Sequence, residues 1–507
     1  MKPSVLAALA ALAIVAPSRA ATCASLSLLK LPDTTVTLAE PVAPGAFARP
    51  AGTFVERGPG APPVFKNLPA FCRVAATLKP TSDSDIKIEV WLPASGWNGK
   101  FEAVGNGGWA GVISYESMAE ALRDGYATSS TDTGHVGGRG TFALDHPEKL
   151  VDFGYRAVHQ MTVQAKAITQ AFYGRAPRMS YWNGCSTGGR QGLKEAQRFP
   201  DDYDGIIAGA SANPRTRLSS WQIWLSQVVL DPANHIPASK YPVIHKAALE
   251  ACDATDGLKD GLISDPTQCH FDPETIECQG ADEPTCLTAG QVAAAKRMYT
   301  APKTASGERV YFNVEPGSEL GWGMLARGPE PFSAATDQFR YVVYKDPNWD
   351  WHSFNLDRDY ALADKMDHDT INAADPNLKA FLAHGGKLLM YHGWADPGVP
   401  PLASVNYYKT AVDTMGGEAK TADSIRLFMV PGMGHCGGGE GPNTFDMMTA
   451  MVAWREEGKT PERIVASRIA AGKVERTRPL CAYPQVAQYR GSGSIDAAAN
   501  FSCEAAK

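Results

Sequence analysis

Apolar and polar positions repeat with two different periods along this chain, and the change of period marks its parts. Residues 85–92 (D-I-K-I-E-V-W-L) alternate with period two, which predicts a half-buried strand. A turn at residues 97–101 leads into a second strand over 101–104, which ends in G-N-G-G-W at 105–109. Residues 155–173 carry a helical pattern through Val158, Met161, Val163, Ala165 and Ile168. A strand at 179–182, a helix at 190–198 and a short buried strand at 204–208 follow. A helix feeding each new strand is the crossover of a parallel sheet.

That alternation stops near residue 212. Residues 213–375 hold many turns, four cysteines and several aromatics, and predict a large lid inserted over the active edge of the sheet. Strands return at 387–391 (K-L-L-M-Y) and 425–430, with a helix over 443–455 that is apolar at Phe445, Met448, Met451 and Val452. After Pro479 the pattern is weak and predicts no regular element. The expected architecture is α/β: an α/β-hydrolase core in two parts, 21–212 and 376–507, interrupted by the lid at 213–375.

Composition narrows the class. With 44% hydrophobic and 20% charged residues, the 507-residue chain reads as a soluble globular protein of more than one domain. A net charge of -6 gives no basic footprint, so nucleic acid is not an expected partner. Lys2, the apolar run 5–15 and Ser18-Arg19-Ala20 form a signal peptide over residues 1–20, with an uncleaved anchor as the alternative. The run is too short to span a bilayer comfortably, and no later stretch is apolar enough to do so. The expected destination is a periplasm or the exterior, with no membrane partner. Ten cysteines, all beyond residue 20, predict five disulfides in that setting. No C-x-x-C pair is present to suggest zinc or thiol redox chemistry.

The candidate chemistry sits at strand ends. Gly184-Cys185-Ser186-Thr187-Gly188 is G-x-S-x-G, which places a serine on a sharp strand-to-helix turn. Asp396 follows the strand at 387–391, and His435 follows the strand at 425–430 in a glycine-rich loop. Serine, acid, histidine is the chain order of α/β-hydrolases, unlike chymotrypsin or subtilisin. Ser186 would attack, His435 would carry its proton to the leaving alcohol, and Asp396 would orient the imidazole. The N–H of Thr187 and one from Gly107 or Gly108 would bind the oxyanion; losing one such donor typically costs about 3–4 kcal/mol. The 105–109 segment also reads as a simple loop. His392 is assigned to lining the site or to supporting its members from behind, and Asp132 and His135 to shaping it. Cys185 beside the serine and Cys436 beside the histidine would, if bonded, limit how far the two drift apart. Such a long loop gives roughly 4–5 kcal/mol in the chain-entropy model. Within the lid, Asp253, Asp256 and Asp260 alternate with glycines, and that pattern describes an acidic surface turn as well as an oxygen site for a hard cation.

G-C-S-T-G-G at 184–189, Y-H-G-W-A-D at 391–396 and G-H-C at 434–436 resemble the tannase and feruloyl esterase family. G-N-G-G-W-A-G at 105–111 and S-T-D-T-G-H at 130–135 extend the resemblance over nearly the whole mature chain. That family also includes the hydrolase of mono(2-hydroxyethyl) terephthalate. The resemblance implies a Ser186–Asp396–His435 triad with a Cys185–Cys436 disulfide beside it. It implies a structural Ca2+ held by Asp253, Asp256 and Asp260 with the carbonyls of Leu258 and Leu262. It also implies the pairs Cys23–Cys72, Cys252–Cys269, Cys278–Cys286 and Cys481–Cys503. The implied substrates are esters of aromatic acids such as ferulate or gallate, free or attached to plant polysaccharide or polyphenol. A terephthalate half-ester hydrolase and an inactive ligand-binding protein on the same fold are the alternatives.

Overall fold

Nine strands form one sheet in the computed structural model, which describes residues 21–51 and 65–505; the expected signal peptide lies outside them. They are β1 (Thr34–Val42), β2 (Phe71–Leu78), β3 (Ile86–Pro93), β4 (Lys100–Val104), β5 (Ala127–Thr131), β6 (Met179–Cys185), β7 (Gly205–Gly209), β8 (Lys387–Gly393) and β9 (Ile425–Val430). Their order is β1-β2-β3-β5-β4-β6-β7-β8-β9. The first three pair antiparallel, and every pair from β5 to β9 is parallel. Strands β7 and β9 are buried at every position. Helices on both faces cause this, so these strands read as continuous apolar runs. Helices Ala157–Tyr173, Thr187–Arg198 and Leu402–Thr414 pack on one face through Met161, Ile168, Leu193 and Tyr408. Helices Tyr115–Arg123 and Met447–Glu457 cover the other. The architecture is a mixed α/β fold with a mainly parallel sheet.

Several elements differ in extent from the sequence pattern. The helix expected from 443 starts at Met447, because the Asp446 side chain accepts from Thr449 N–H and caps it there. Phe445 therefore sits outside the helix, edge-on to Tyr391 at 5.3 Å. The helix after the serine begins at Thr187 rather than 190, since the turn passes straight into it. The C-terminal region is not irregular. It forms two hairpins, β10 (Arg463–Ala470) with β11 (Lys473–Cys481), and β12 (Gln485–Tyr489) with β13 (Phe501–Ala505). β12 and β13 each bury a single residue, so they carry almost no apolar period, and the Cys481–Cys503 disulfide ties the second hairpin to the first.

Between β7 and β8 the chain leaves the sheet for residues 210–386. One apolar cluster there joins Trp221, Leu225, Tyr311 and Trp322 to Val399 and Ala403, so the insertion is seated on the chain that follows β8. A second cluster gathers Phe339, Trp349, Trp351 and Phe354. Most of the aromatics in this segment are thus core. All five disulfides pair as the family resemblance implies. Among the described residues, no helix is long and apolar enough to cross a membrane.

Candidate active site

Ser186 stands on the turn between β6 and the helix Thr187–Arg198, at φ 61° and ψ -121°. A non-glycine residue there stores about 1–3 kcal/mol of backbone strain. The surroundings hold the turn: Ser186 N–H donates to the Gly209 carbonyl (2.9 Å), and Ala212 N–H donates back to the Ser186 carbonyl (3.1 Å). The turn also needs small neighbours. A Cβ on Gly184 would lie 2.5 Å from the Gly188 carbonyl oxygen, and one on Gly105 2.5 Å from the Gly188 Cα. Glycines at these positions let strand, helix and the 105–109 loop meet.

Three side chains from three strand ends form a hydrogen-bonded chain. Ser186 Oγ lies 2.8 Å from His435 Nε2, and His435 Nδ1 lies 2.6 Å from Asp396 Oδ2. The carboxylate can only accept, so the tautomer that fits both partners carries its proton on Nδ1 and accepts the serine proton at Nε2. Asp396 is fully buried and well supplied with donors. Gly398 and Val399 N–H groups donate to Oδ1 at 2.8 and 2.9 Å, and His392 Nε2 lies 3.0 Å from Oδ2. Burial pushes this carboxyl up, but the His435 charge and the hydrogen bonds of both histidines outweigh it and hold it well below the usual carboxylate range. Burial likewise disfavours a charged His435, and the Asp396 carboxylate reverses that and raises its pKa above 6.5. His392 Nδ1 also meets Ser404 Oγ at 2.8 Å, so of its two expected places this histidine takes the supporting one and steadies the acid. Cys185 and Cys436, each next to a member of the chain, are bonded at 2.02 Å across 251 residues.

The 105–109 loop is tied to the serine turn. Thr187 Oγ1 donates to the Gly108 carbonyl (2.9 Å), and Gln191 and Asn106 exchange two hydrogen bonds of 3.1 Å. Asn106 also donates to the carbonyls of Val112 (2.8 Å) and Thr131 (2.9 Å). Asn106 and Gln191 were not legible as site residues; only their pairing in space shows the role. Asp132 accepts from Lys87 and Gly134 N–H, and His135 Nε2 lies 2.7 Å from the Trp109 carbonyl, so both support the loop from behind. Gly107, Gly108, Ser186 and His435 open into one cavity of about 1000 Å³. Arg215, Leu218, Met324 and Phe332 of the insertion line it. Glu102, Glu120, Asp124, Tyr391, Phe445 and Asp446 line the same cavity.

The acidic loop lies in the insertion, and its Gly261 and Leu262 line a smaller cavity that His435 also borders. Asp253 accepts from Asp260 and Gly261 N–H, Asp256 from Leu258 N–H and Ser264 Oγ, and Asp260 from Leu262 N–H. Asp260 also pairs with Arg478. Burial raises its pKa; Arg478 and Arg476 oppose that, and the charges of Asp253 and Asp256 add to it. The three carboxylates are therefore close enough to repel. This all-oxygen donor set, with the Leu258 and Leu262 carbonyls in the same loop, fits a hard cation such as Ca2+.

The family model for tannase and feruloyl esterase matches residues 72–504. An uncharacterized esterase of Xanthomonas campestris is 39% identical over 98% of this chain and 93% of its own length. A probable feruloyl esterase B-1 of Aspergillus fumigatus is 37% identical over 83% of this chain and 84% of its own. The crystal structure of feruloyl esterase B from Aspergillus oryzae superposes with a TM-score of 0.89 at 32% identity, covering 95% of this chain and 99% of that one. On sequence and on fold, the chain belongs to the tannase and feruloyl esterase family and is a carboxylic ester hydrolase of that type.

Proposed function

We propose that this protein cleaves esters of aromatic carboxylic acids through an acyl-Ser186 intermediate. The observation that carries the reading is the Ser186–His435–Asp396 hydrogen-bonded chain at the head of a cavity walled by Phe332 and Leu218. As Ser186 Oγ attacks the ester carbonyl, His435 Nε2 takes its proton and Asp396 stabilises the imidazolium. The oxyanion is received by the Thr187 N–H and by Gly107 or Gly108 N–H, held in place through Asn106 and Gln191. Collapse expels the alcohol with the proton from His435, and a water deprotonated by the same nitrogen releases the acid. The Cys185–Cys436 bond keeps nucleophile and base in register.

A terephthalate half-ester is the second reading, and Arg215 favours it. This buried guanidinium stacks 4.8 Å from Trp109 and lines the cavity that holds Ser186, where an anionic acyl group would meet it. Initial rates on methyl ferulate, methyl gallate and mono(2-hydroxyethyl) terephthalate decide between them. No turnover of any ester, with no fluorophosphonate adduct on Ser186, would reject an esterase altogether. Calcium belongs to the same proposal: Asp253, Asp256, Asp260 and the Leu258 and Leu262 carbonyls would hold it, and it would brace the lid. Export through residues 1–20 is proposed from Lys2 and the short apolar run that follows it.

A further inference from the structure

At the far end of the helix that Ser186 opens, three side chains with metal-binding atoms converge. Glu195 stands in the last turn of that helix, Thr187–Arg198. His159 comes from the neighbouring helix Ala157–Tyr173, and Asp202 from the segment that leads into β7. Each offers one ligand atom, and the three atoms lie within 4.8 Å of one another. His159 Nδ1 is 2.6 Å from Asp202 Oδ2, and its imidazole is stacked on the Phe199 ring at 3.8 Å, which fixes its plane. Glu195 is 1% exposed. Among the described residues, no hydrogen-bond donor reaches either of its carboxylate oxygens.

We infer that His159, Glu195 and Asp202 form a zinc site, separate from the acidic loop of the insertion. The first argument is the buried Glu195 carboxyl. A carboxylate taken out of water without a donor is strongly disfavoured. Burial opposes its charge most, and the facing Asp202 carboxyl adds to that. Lys166 is felt at Glu195, yet the hydrogen bond its ammonium makes is to the Asp202 carbonyl. Two carboxyl groups that face each other in such a place need a positive charge between them, a proton or a metal ion. A proton would serve the two acids alone. Here an imidazole nitrogen is turned to the same point and completes a set of one nitrogen and two oxygens.

That set selects the ion. Zinc takes histidine nitrogen and carboxylate oxygen together at about 2.0–2.2 Å and can keep a water as its fourth ligand. Ligands at that distance round a tetrahedral ion are about 3.4 Å apart, so His159 Nδ1 and Asp202 Oδ2 would part by less than about 1 Å. Calcium and magnesium favour oxygen alone, so the imidazole turns this site away from the ion that the acidic loop suits. An entry path exists as well. The His159 and Asp202 side chains keep 26% and 13% exposure, so the ion and its water arrive from solvent while Glu195 closes the inner side. Glu195 lies about 12 Å along the helix from its first residue, so the ion takes no part in chemistry at Ser186. It would clamp two helices that pack on the same face of the sheet.

The test strips the full chain with a chelator, removes the chelator, and titrates Zn2+ by calorimetry, with the Tm read before and after. The parent should bind zinc and gain a few degrees in Tm. His159→Ala and Glu195→Gln should each weaken zinc binding by about tenfold or more and remove the rise in Tm. Asp253→Asn, in the acidic loop, should bind zinc as the parent does. His159→Ala removes a partly exposed ring, so it keeps the test open if Glu195→Gln fails to fold. A stripped parent that binds no zinc would overturn the inference and leave Glu195 sharing a proton with Asp202. Zinc bound equally by the parent and by the folded variants would overturn it too, since the ion would then sit elsewhere. None of these outcomes depends on which ester the enzyme cleaves.

Discussion

Two buried aspartates show how differently the fold treats two short motifs. Asp396 follows a parallel strand and is surrounded by donors from its own turn and from two histidines, so its charge is complete within the protein. Asp260 is nearly as buried, at 4% side-chain exposure, but shares its loop with Asp253 and Asp256, and two arginines do not fully offset burial and that repulsion. One site is finished by the sheet. The other holds negative charge that a bound cation would finish. Chemistry at the first should therefore respond to single atoms, and stability at the second to an ion.

The largest expected effect is at the first site. Ser186→Ala should lower kcat by about 10⁶-fold, and Asp396→Asn by about 10⁴-fold through the wrong imidazole tautomer, by analogy with serine protease triads. Asp253→Asn, in contrast, should leave kcat/KM for a ferulate ester within a few-fold. Stopped assays with active-site titration check all three. A comparable loss in Asp253→Asn would erase the distinction between the two regions.

Disulfides sharpen the same contrast. Cys185–Cys436 closes 251 residues and Cys252–Cys269, at the acidic loop, closes 17. The chain-entropy model assigns about 5 kcal/mol to the first and about 3 kcal/mol to the second. The double serine variant of the first pair should lose more stability in denaturant titrations, and it alone should also lose kcat, since Ser186 and His435 sit next to its cysteines. Full activity with 185 and 436 unbonded would deny the clasp a positional role.

Why was the first region legible and the second less so? G-C-S-T-G, Asp396 and His435 each follow a strand whose apolar run is visible, and a parallel sheet brings those strand ends to one edge. Local pattern and topology then agree. The partners of Asp260 come from Arg476 and Arg478 on β11, more than 200 positions away, in a hairpin with little apolar period. Nothing near residue 260 announces them. The same holds for Glu102: its strand is legible, but the acids facing it come from helix ends that meet only in three dimensions. Phe332, one of the aromatics in the insertion, lines the cavity while Trp322 and Phe339 are wholly buried, a division that composition does not reveal.

Metal removal should produce an intermediate effect. With calcium at 100 times its Kd, binding to the folded state alone would add about 2.7 kcal/mol. Chelation should therefore lower the Tm, and readdition of Ca2+ should restore it, while Asp256→Asn should remove the response. An unchanged Tm in a sample shown to have carried and lost calcium would count against the oxygen site. In this comparison Ser186→Ala serves as the control, because a structural ion should stabilise it as it does the parent.

The smallest effect is a pH shift, and it depends on the charge of Asp396. His435 must be neutral to take the serine proton. Burial alone would favour that form, but the Asp396 carboxylate raises its pKa above 6.5. Activity should thus be full above the raised value and lost as pH falls through it, by about tenfold in kcat/KM for each further unit. Replacing Asp396 with Asn removes the charge that lifts His435, so the acid limb of the residual activity should move to lower pH. If the limb stayed where it was while kcat fell, the limb would belong to another group, and the hydrogen bond at 2.6 Å would be orienting His435 without setting its proton affinity.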